Sequence, residues 1–380
     1  MKRAHRMLVT VTTALVVLAA PTAALAASEE PTKPARSQGA GRAGLQEGLD
    51  GITAESAVGA LMEVRDEDGV WRGTSGVAEL GTTRAVSARD RFRAGSITKT
   101  FVATVVLQLV DEGRLLLDDT VERWLPGTVP GGDRITVRQL LNHTSGVPDY
   151  RRTLPMPPTR EFLDNRLRTW SAAELIRRAV AGPQTSEPRA SGYAYSNTGY
   201  LLLGQIIEKA TGRSYGKEIE RRIIRPLKLR GTSLPGTSPR IRGPHPHGYV
   251  PIQQGAEKRL VDLTVMNPSV MGAGGEMVST TNDLNRFMTA LLDGRLLPGH
   301  LLDEMKTPGV TDGTYGLGLR RRGTSCGVPV YGNDGDALAY QSWSFSTEDG
   351  RRQATIALTP DFRGDPDDAV DALLDKAFCD

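Results

Sequence analysis

Two hairpin signals lie at opposite ends of the chain, and because an isolated hairpin is barely stable in water, each needs a larger sheet to join. Residues 57–64 and 70–77 are apolar-rich and flank Asp68-Gly69, a dipeptide suited to a tight turn. Residues 340–346 alternate Tyr, Trp and Phe with polar side chains, turn at Asp349-Gly350 and resume over 353–358. One antiparallel sheet shared by the two hairpins meets both needs. Helical periodicity fills the interval, over residues 96–112, 171–180, 198–211, 214–224 and 281–292. A last helix is marked by Asp365 as N-cap, Pro366 in its first turn and an apolar face of Val370, Leu373, Leu374 and Phe378. Strands at the ends with helices between predict an α/β fold. Its antiparallel sheet, flanked by helices, takes residues 47–130 and 260–380, with a mostly helical insert over 131–259.

The N-terminus carries Lys2, Arg3 and Arg6, an apolar run over residues 8–20, then Ala24-Leu25-Ala26. That is the layout of a secretory signal peptide cleaved after Ala26, and the run is shorter than the ~20 residues of a membrane span. The sequence therefore predicts a secreted product without a stable membrane anchor. Residues 27–46, rich in Ser, Pro, Gly and charge, predict a flexible lead-in. Formal net charge is +3, which the three basic residues of the leader account for in full, so nothing electrostatic points to nucleic acid. Cys326 and Cys379, the two cysteines, are expected to form one disulfide outside the cell and pin the last helix to the body. His143, His245, His247 and His300 show no metal-ligand spacing with Cys or carboxylates, and cofactor motifs are absent.

Chemistry concentrates at Gly95-Ser96-Ile97-Thr98-Lys99-Thr100-Phe101, where an amphipathic helix opens. Ser96 and Lys99 share a helix face, and a lysine whose pKa is lowered by desolvation can serve as base for a serine nucleophile. Spacing alone leaves a rival, because Ser214-Tyr215-Gly216-Lys217 repeats it. Ser214 follows the helix stop Thr211-Gly212 and reads as an ordinary cap. Tyr195-Ser196-Asn197 supplies a phenol able to relay a proton and an amide able to hold a substrate carbonyl and a lysine, although Tyr331-Gly332-Asn333 matches the same triplet.

Taken in order, residues 92–101, Leu107-Gln108-Leu109-Val110-Asp111-Glu112-Gly113, Leu140-Leu141-Asn142-His143-Thr144-Ser145-Gly146 and residues 193–203 resemble the serine penicillin-recognising enzymes. Within that family the likeness is to class C β-lactamases and low-molecular-mass D-alanyl-D-alanine carboxypeptidases. Residues 315–322, 325–327 and Tyr331-Gly332 are most similar to the secreted streptomycete carboxypeptidase, and the likeness runs through nearly all of the chain after the leader. The resemblance implies a β-lactamase-like fold and a role for each matching residue. Ser96 is acylated, Lys99 and Tyr195 exchange its proton with the leaving amine, and Asn197 orients the acyl side chain. The N–H groups of Ser96 and Asp336 form the oxyanion hole, the latter on a sheet-edge strand, and Arg320 binds the substrate's terminal carboxylate. His143 becomes a structural residue of a turn, not a base. Substrates would be peptidoglycan-type peptides or small amides and esters, with β-lactams as acylating inhibitors and no cofactor.

The third motif departs from the family. Where a His or Lys, a hydroxyl residue and Gly are expected, the chain has Asn333-Asp334-Gly335 followed by Asp336, and the resemblance places Asn333, Asp334 and Asp336 among the substrate-binding residues. Two acids face the site of a leaving carboxylate, and like charges about 4 Å apart repel by ~4 kcal/mol at an intermediate dielectric. Pairing of Arg320 with Asp334 would remove both from play. The sequence thus supports an acyl-serine hydrolase of D-alanyl-D-alanine carboxypeptidase type. Its alternatives are an esterase or amidase with altered leaving-group preference and a catalytically weakened binder of wall peptides or β-lactams.

Overall fold

The computed structural model describes residues 38–182, 192–309 and 313–380. The expected signal peptide and residues 27–37 of the lead-in fall outside them. The lead-in ends earlier than the sequence suggests, because helix α1 (Gln38–Glu55) is already formed at Gln38. Its buried stripe of Leu45, Leu49 and Ile52 begins only midway, so the small residues of the first turns show no periodicity to read. Small residues also let α1 approach its neighbour: a Cβ at Gly48 would lie 2.7 Å from Leu373.

After α1 come β1 (Ala57–Asp66) and β2 (Gly69–Gly76), the first predicted hairpin, and α2 (Thr98–Asp111). Next are α3 (Asn197–Thr211) and α4 (Thr281–Leu292). The chain closes with β3 (Arg320–Arg322), β4 (Val330–Asp336), β5 (Gln341–Thr347), β6 (Gln353–Pro360) and α5 (Asp367–Cys379). The two hairpins do share one sheet, of order β2-β1-β6-β5-β4-β3, every pair antiparallel. β1 lies against β6 with Leu61 opposite Ala357, which joins the two ends of the chain.

Strand alternation feeds two cores. Ala60, Met62 and Val64 of β1 face α1 and α5, packing with Leu49, Leu373 and Phe378. Leu61 faces the other way, into the larger core that holds α2 and α4, where the rings of Phe101 and Phe287 stack 3.6 Å apart. Sheet, α2 and α4 thus form one frame, and α3 with shorter helices and loops builds the opposite wall of a cleft. The last helix starts at Asp367, with Pro366 in the cap position and Asp365 Oδ1 accepting the Asp367 N–H at 3.0 Å, one residue from the expected register. No helix among the described residues is long and apolar enough to cross a membrane.

Cys326, between β3 and β4, is bonded to Cys379 at the end of α5, 53 residues apart. A loop of that length corresponds to about 4 kcal/mol in the chain-entropy account. Replacing both cysteines by serine should therefore lower unfolding stability in urea by about 2–4 kcal/mol. An unchanged denaturation midpoint would show that the bridge does not constrain the unfolded chain.

Candidate active site

The site begins with two glycines. Phe92 and Arg93 pair with Ser279 and Val278, and Ala94 donates its N–H to Met277 O, which anchors the approach to α2. The chain then turns at Gly95, whose φ of +53° suits glycine. A Cβ there would sit 2.8 Å from the Asp336 backbone, and one at Gly335 would sit 2.1 Å from Ala94 O. Only this double absence of side chains lets β4 press against the turn Gly95–Ile97 that carries Ser96. The sequence placed Asp336 on a sheet-edge strand, but β4 is not the edge of the sheet. β3 lies outside it but pairs only with Val330 to Gly332, which leaves the Asn333 to Asp336 half open.

Lys99, in the first turn of α2, is fully buried. Its ammonium has three donors, and three oxygens receive them: Ser96 Oγ at 2.9 Å, Asn197 Oδ1 at 2.8 Å and Gly274 O at 2.5 Å. Desolvation pulls its pKa down to about 7, with Asp149 opposing, Arg151 adding and Asp334 opposing. Tyr195 Oη lies 2.6 Å from Ser96 Oγ on the other side. Desolvation, then the neighbouring Tyr315, raises that phenol well above its usual value, although 37% of the residue is exposed. Near neutrality the lysine is thus the group that can stand deprotonated, and the phenol keeps its proton. The arrangement can move a proton off Ser96 to Lys99 and offer one from Tyr195 to a departing atom.

Asn197, the first residue of α3, donates its Nδ2 to Asp149 Oδ2 at 2.8 Å while its oxygen faces Lys99. His143 is buried, neutral through desolvation, and adopts φ +60°. It accepts the Ser196 N–H at Nδ1 and the Ala194 N–H at its carbonyl, bracing Tyr195 from both flanks. That is a structural task, as the resemblance implied. The rival motif dissolves: Ser214 Oγ caps a short helix by accepting the Lys217 N–H at 3.4 Å, and Lys217 is exposed.

The third-motif residues separate. Asn333 points inward from β4, is buried, and donates to Thr100 Oγ1 at 3.3 Å and Tyr315 Oη at 3.4 Å. It is an internal brace and not the substrate contact expected of it, because strand alternation turns it toward α2. The Tyr331-Gly332-Asn333 triplet accordingly belongs to a strand and forms no second site. Asp334 faces out and pairs with Arg320, Nε to Oδ1 3.1 Å. Asp336 is exposed, its Oδ1 accepting the Leu338 N–H at 2.6 Å.

Two depressions meet at Asp336. One opens from Ser96 and Asn197 onto walls that include Tyr150, Phe162, Trp170 and Met266, with Arg151, Arg166 and Arg168 also lining it. The other is an open groove that contains Arg320, Asp334 and Asp336. Sequence reading missed Asp149 and Gly274. Asp149 lies three residues past the Gly146 end of a recognised motif, whereas Gly274 contributes only a carbonyl, which no side-chain pattern reveals.

A serine at a helix start, held by a buried lysine beside the open half of β4 in an antiparallel sheet, places the chain among the serine acyl-hydrolases of the penicillin-recognising kind. A family model described as Beta-lactamase matches residues 46–377, and the chain belongs to that family. It is similar in structure to a D-stereospecific amidohydrolase from Streptomyces sp., at 41% identity and a TM-score of 0.80, covering 89% of this chain and 98% of that one. A D-amino acid amidase from Ochrobactrum anthropi SV3, solved with L-phenylalanine amide, is 28% identical with a TM-score of 0.75, covering 88% and 98%. Penicillin-binding protein 4* of Bacillus subtilis is 32% identical over 247 residues, which is 61% of this chain. The match spans about half of that protein, 52% of its length.

Gly95→Ala should separate the Ser96 turn from β4. Removing an oxyanion donor typically costs about 10²-fold or more, so the rate of covalent labelling by fluorescent penicillin should fall by about that factor. Labelling at the unmodified rate would mean the close approach is unnecessary.

Proposed function

We propose that the protein is an exported amidohydrolase that works through an acyl-Ser96 intermediate. The carrying observation is the buried Lys99 held at hydrogen-bond distance from Ser96. Neutral Lys99 takes the Ser96 proton as Oγ bonds to the amide carbonyl carbon. The oxyanion is received by the N–H groups of Ser96 and Asp336. As the carbon–nitrogen bond breaks, the leaving nitrogen gains the Tyr195 proton, and the phenol recovers one from Lys99. Water then repeats the sequence on the ester and releases the acid.

Substrate choice follows from the two depressions. The partly aromatic pocket beside Ser96 and Asn197 suits a bulky apolar acyl group. The groove suits a neutral or cationic leaving group, because the Arg320 cation is engaged by Asp334 and Asp336 adds an exposed acid. Amides of D-configured residues are the preferred class, supported by the amidohydrolase and amidase to which the chain is similar. Peptidoglycan-type peptides ending in D-Ala-D-Ala are a second class. They are favoured only insofar as Arg320 leaves Asp334 for the terminal carboxylate, and β-lactams should acylate the same serine. Export is supported by the signal-peptide layout and by the disulfide.

The test compares kcat/KM for D-phenylalanine amide, its L enantiomer and an acyl-D-Ala-D-Ala peptide as free acid and as amide. The D amide should exceed the L amide, and the amidated peptide should exceed the free acid by roughly tenfold, a partly screened fraction of the full repulsion. Asp334→Thr with Asp336→Thr should reverse the peptide preference. A free-acid peptide cleaved as well as its amide, with no change in the double variant, would overturn this assignment of the groove. Ser96→Ala should abolish the covalent adduct seen by mass spectrometry, and an adduct at any other residue would overturn the nucleophile.

A further inference from the structure

We propose that Asp149 is a positioning residue that locks the Asn197 amide and lends negative charge to the Ser96–Lys99 pair; this rests on the reading of Lys99 as the base. A side-chain amide has a donor end and an acceptor end, and an ammonium can use only the acceptor. Asn197 presents Oδ1 to Lys99 at 2.8 Å and Nδ2 to Asp149 Oδ2 at 2.8 Å. A carboxylate only accepts, so it holds the donor end toward itself. Turning the amide over would set donor against ammonium and oxygen against carboxylate in one movement.

Asp149 has little freedom to yield. Its other oxygen accepts the Arg151 N–H at 3.0 Å, capping the short turn Tyr150–Thr153. The residues on either side are stitched to α3: Thr198 Oγ1 donates to Pro148 O at 2.7 Å and accepts the Tyr150 N–H at 2.9 Å. The Tyr150 phenol is tied in turn to Val270 O at 2.6 Å. Among the described residues no cation lies within ion-pair distance of the Asp149 carboxylate, so its charge is not spent on a partner of its own.

That charge opposes the loss of hydration at Lys99. The other groups facing the ammonium are Arg151, which acts against protonation, and the more weakly acting Asp334. The rings of Tyr195 and Tyr200 stand 5.0 and 5.4 Å away, with neutral His143 nearby. Removing Asp149 therefore leaves Lys99 easier to deprotonate. A base used in its neutral form would then be available at lower pH.

The experiment follows p-nitrophenyl acetate hydrolysis against pH for the full chain, for Asp149→Asn and for Asp149→Ser, with thermal melting as a control. Both variants remove the charge. Asparagine still offers an oxygen to Asn197, whereas serine can cap the Arg151 turn but cannot reach the amide. The acid limb of kcat/KM should move down by about 0.5–1 pH unit in both. The plateau kcat should be roughly tenfold lower in the serine variant than in the asparagine variant, one hydrogen bond to the amide being the difference. A lower melting temperature with the acid limb unmoved would overturn the proposal and leave Asp149 a merely structural cap. An unmodified enzyme with no acid limb near pH 7 would overturn the prior reading of Lys99, and this inference with it.

Discussion

Lys99 carries an ammonium into a fully buried position, and much of the architecture answers that single demand. Each of its three hydrogens needs an oxygen, and the oxygens come from the turn before α2, from the start of α3 and from a carbonyl at Gly274. Segments far apart in sequence must converge on one nitrogen. The sheet contributes the frame for α2, and the α3 side contributes the other two partners. Loss of any one oxygen would leave a buried donor unmet, at a cost of about 1–3 kcal/mol or more for a charged group.

The same burial that readies the lysine for chemistry weakens the fold. An unfolded lysine titrates at ~10.4, so over the interval down to the folded value the unfolded chain holds a proton that the folded chain has shed. Stability contributed by this residue therefore rises with pH from about 7 to that of the free side chain, and the penalty is complete below about 7. Retention of so costly a group is intelligible if its neutral form is what Ser96 requires. The β4 side of the cleft shows a parallel compromise. Gly95 and Gly335 give up side chains so that two backbones can touch, and Arg320 is engaged by Asp334 instead of standing open to an anion.

Local signals carried much of this into the sequence. The Asp-Gly turns and strand alternation located both hairpins, and two cysteines located the bridge; the Ser-x-x-Lys spacing marked the reactive pair only together with the motifs around it, because Ser214 and Lys217 repeat it. What stayed hidden depends on tertiary placement. Along α1, Gly44 and Gly48 lie against Lys376 and Leu373 of α5, and glycines leave no apolar period. Asn333 occupies a family position that promised a substrate contact, and only the strand's facing shows it tied to Thr100 and Tyr315. Asp149 and Gly274 serve Lys99 through an amide and a carbonyl, and neither service leaves a mark in residue type.

The account stands on the protonation of one side chain, which can be read directly. Titration of Lys99 in the free protein, by the 13Cε shift of labelled lysine with assignment from Lys99→Arg, should give a pKa of about 7. A value near that of an ordinary exposed lysine, ~10.4, would mean that Lys99 is charged at neutral pH and that the base for Ser96 must be sought elsewhere.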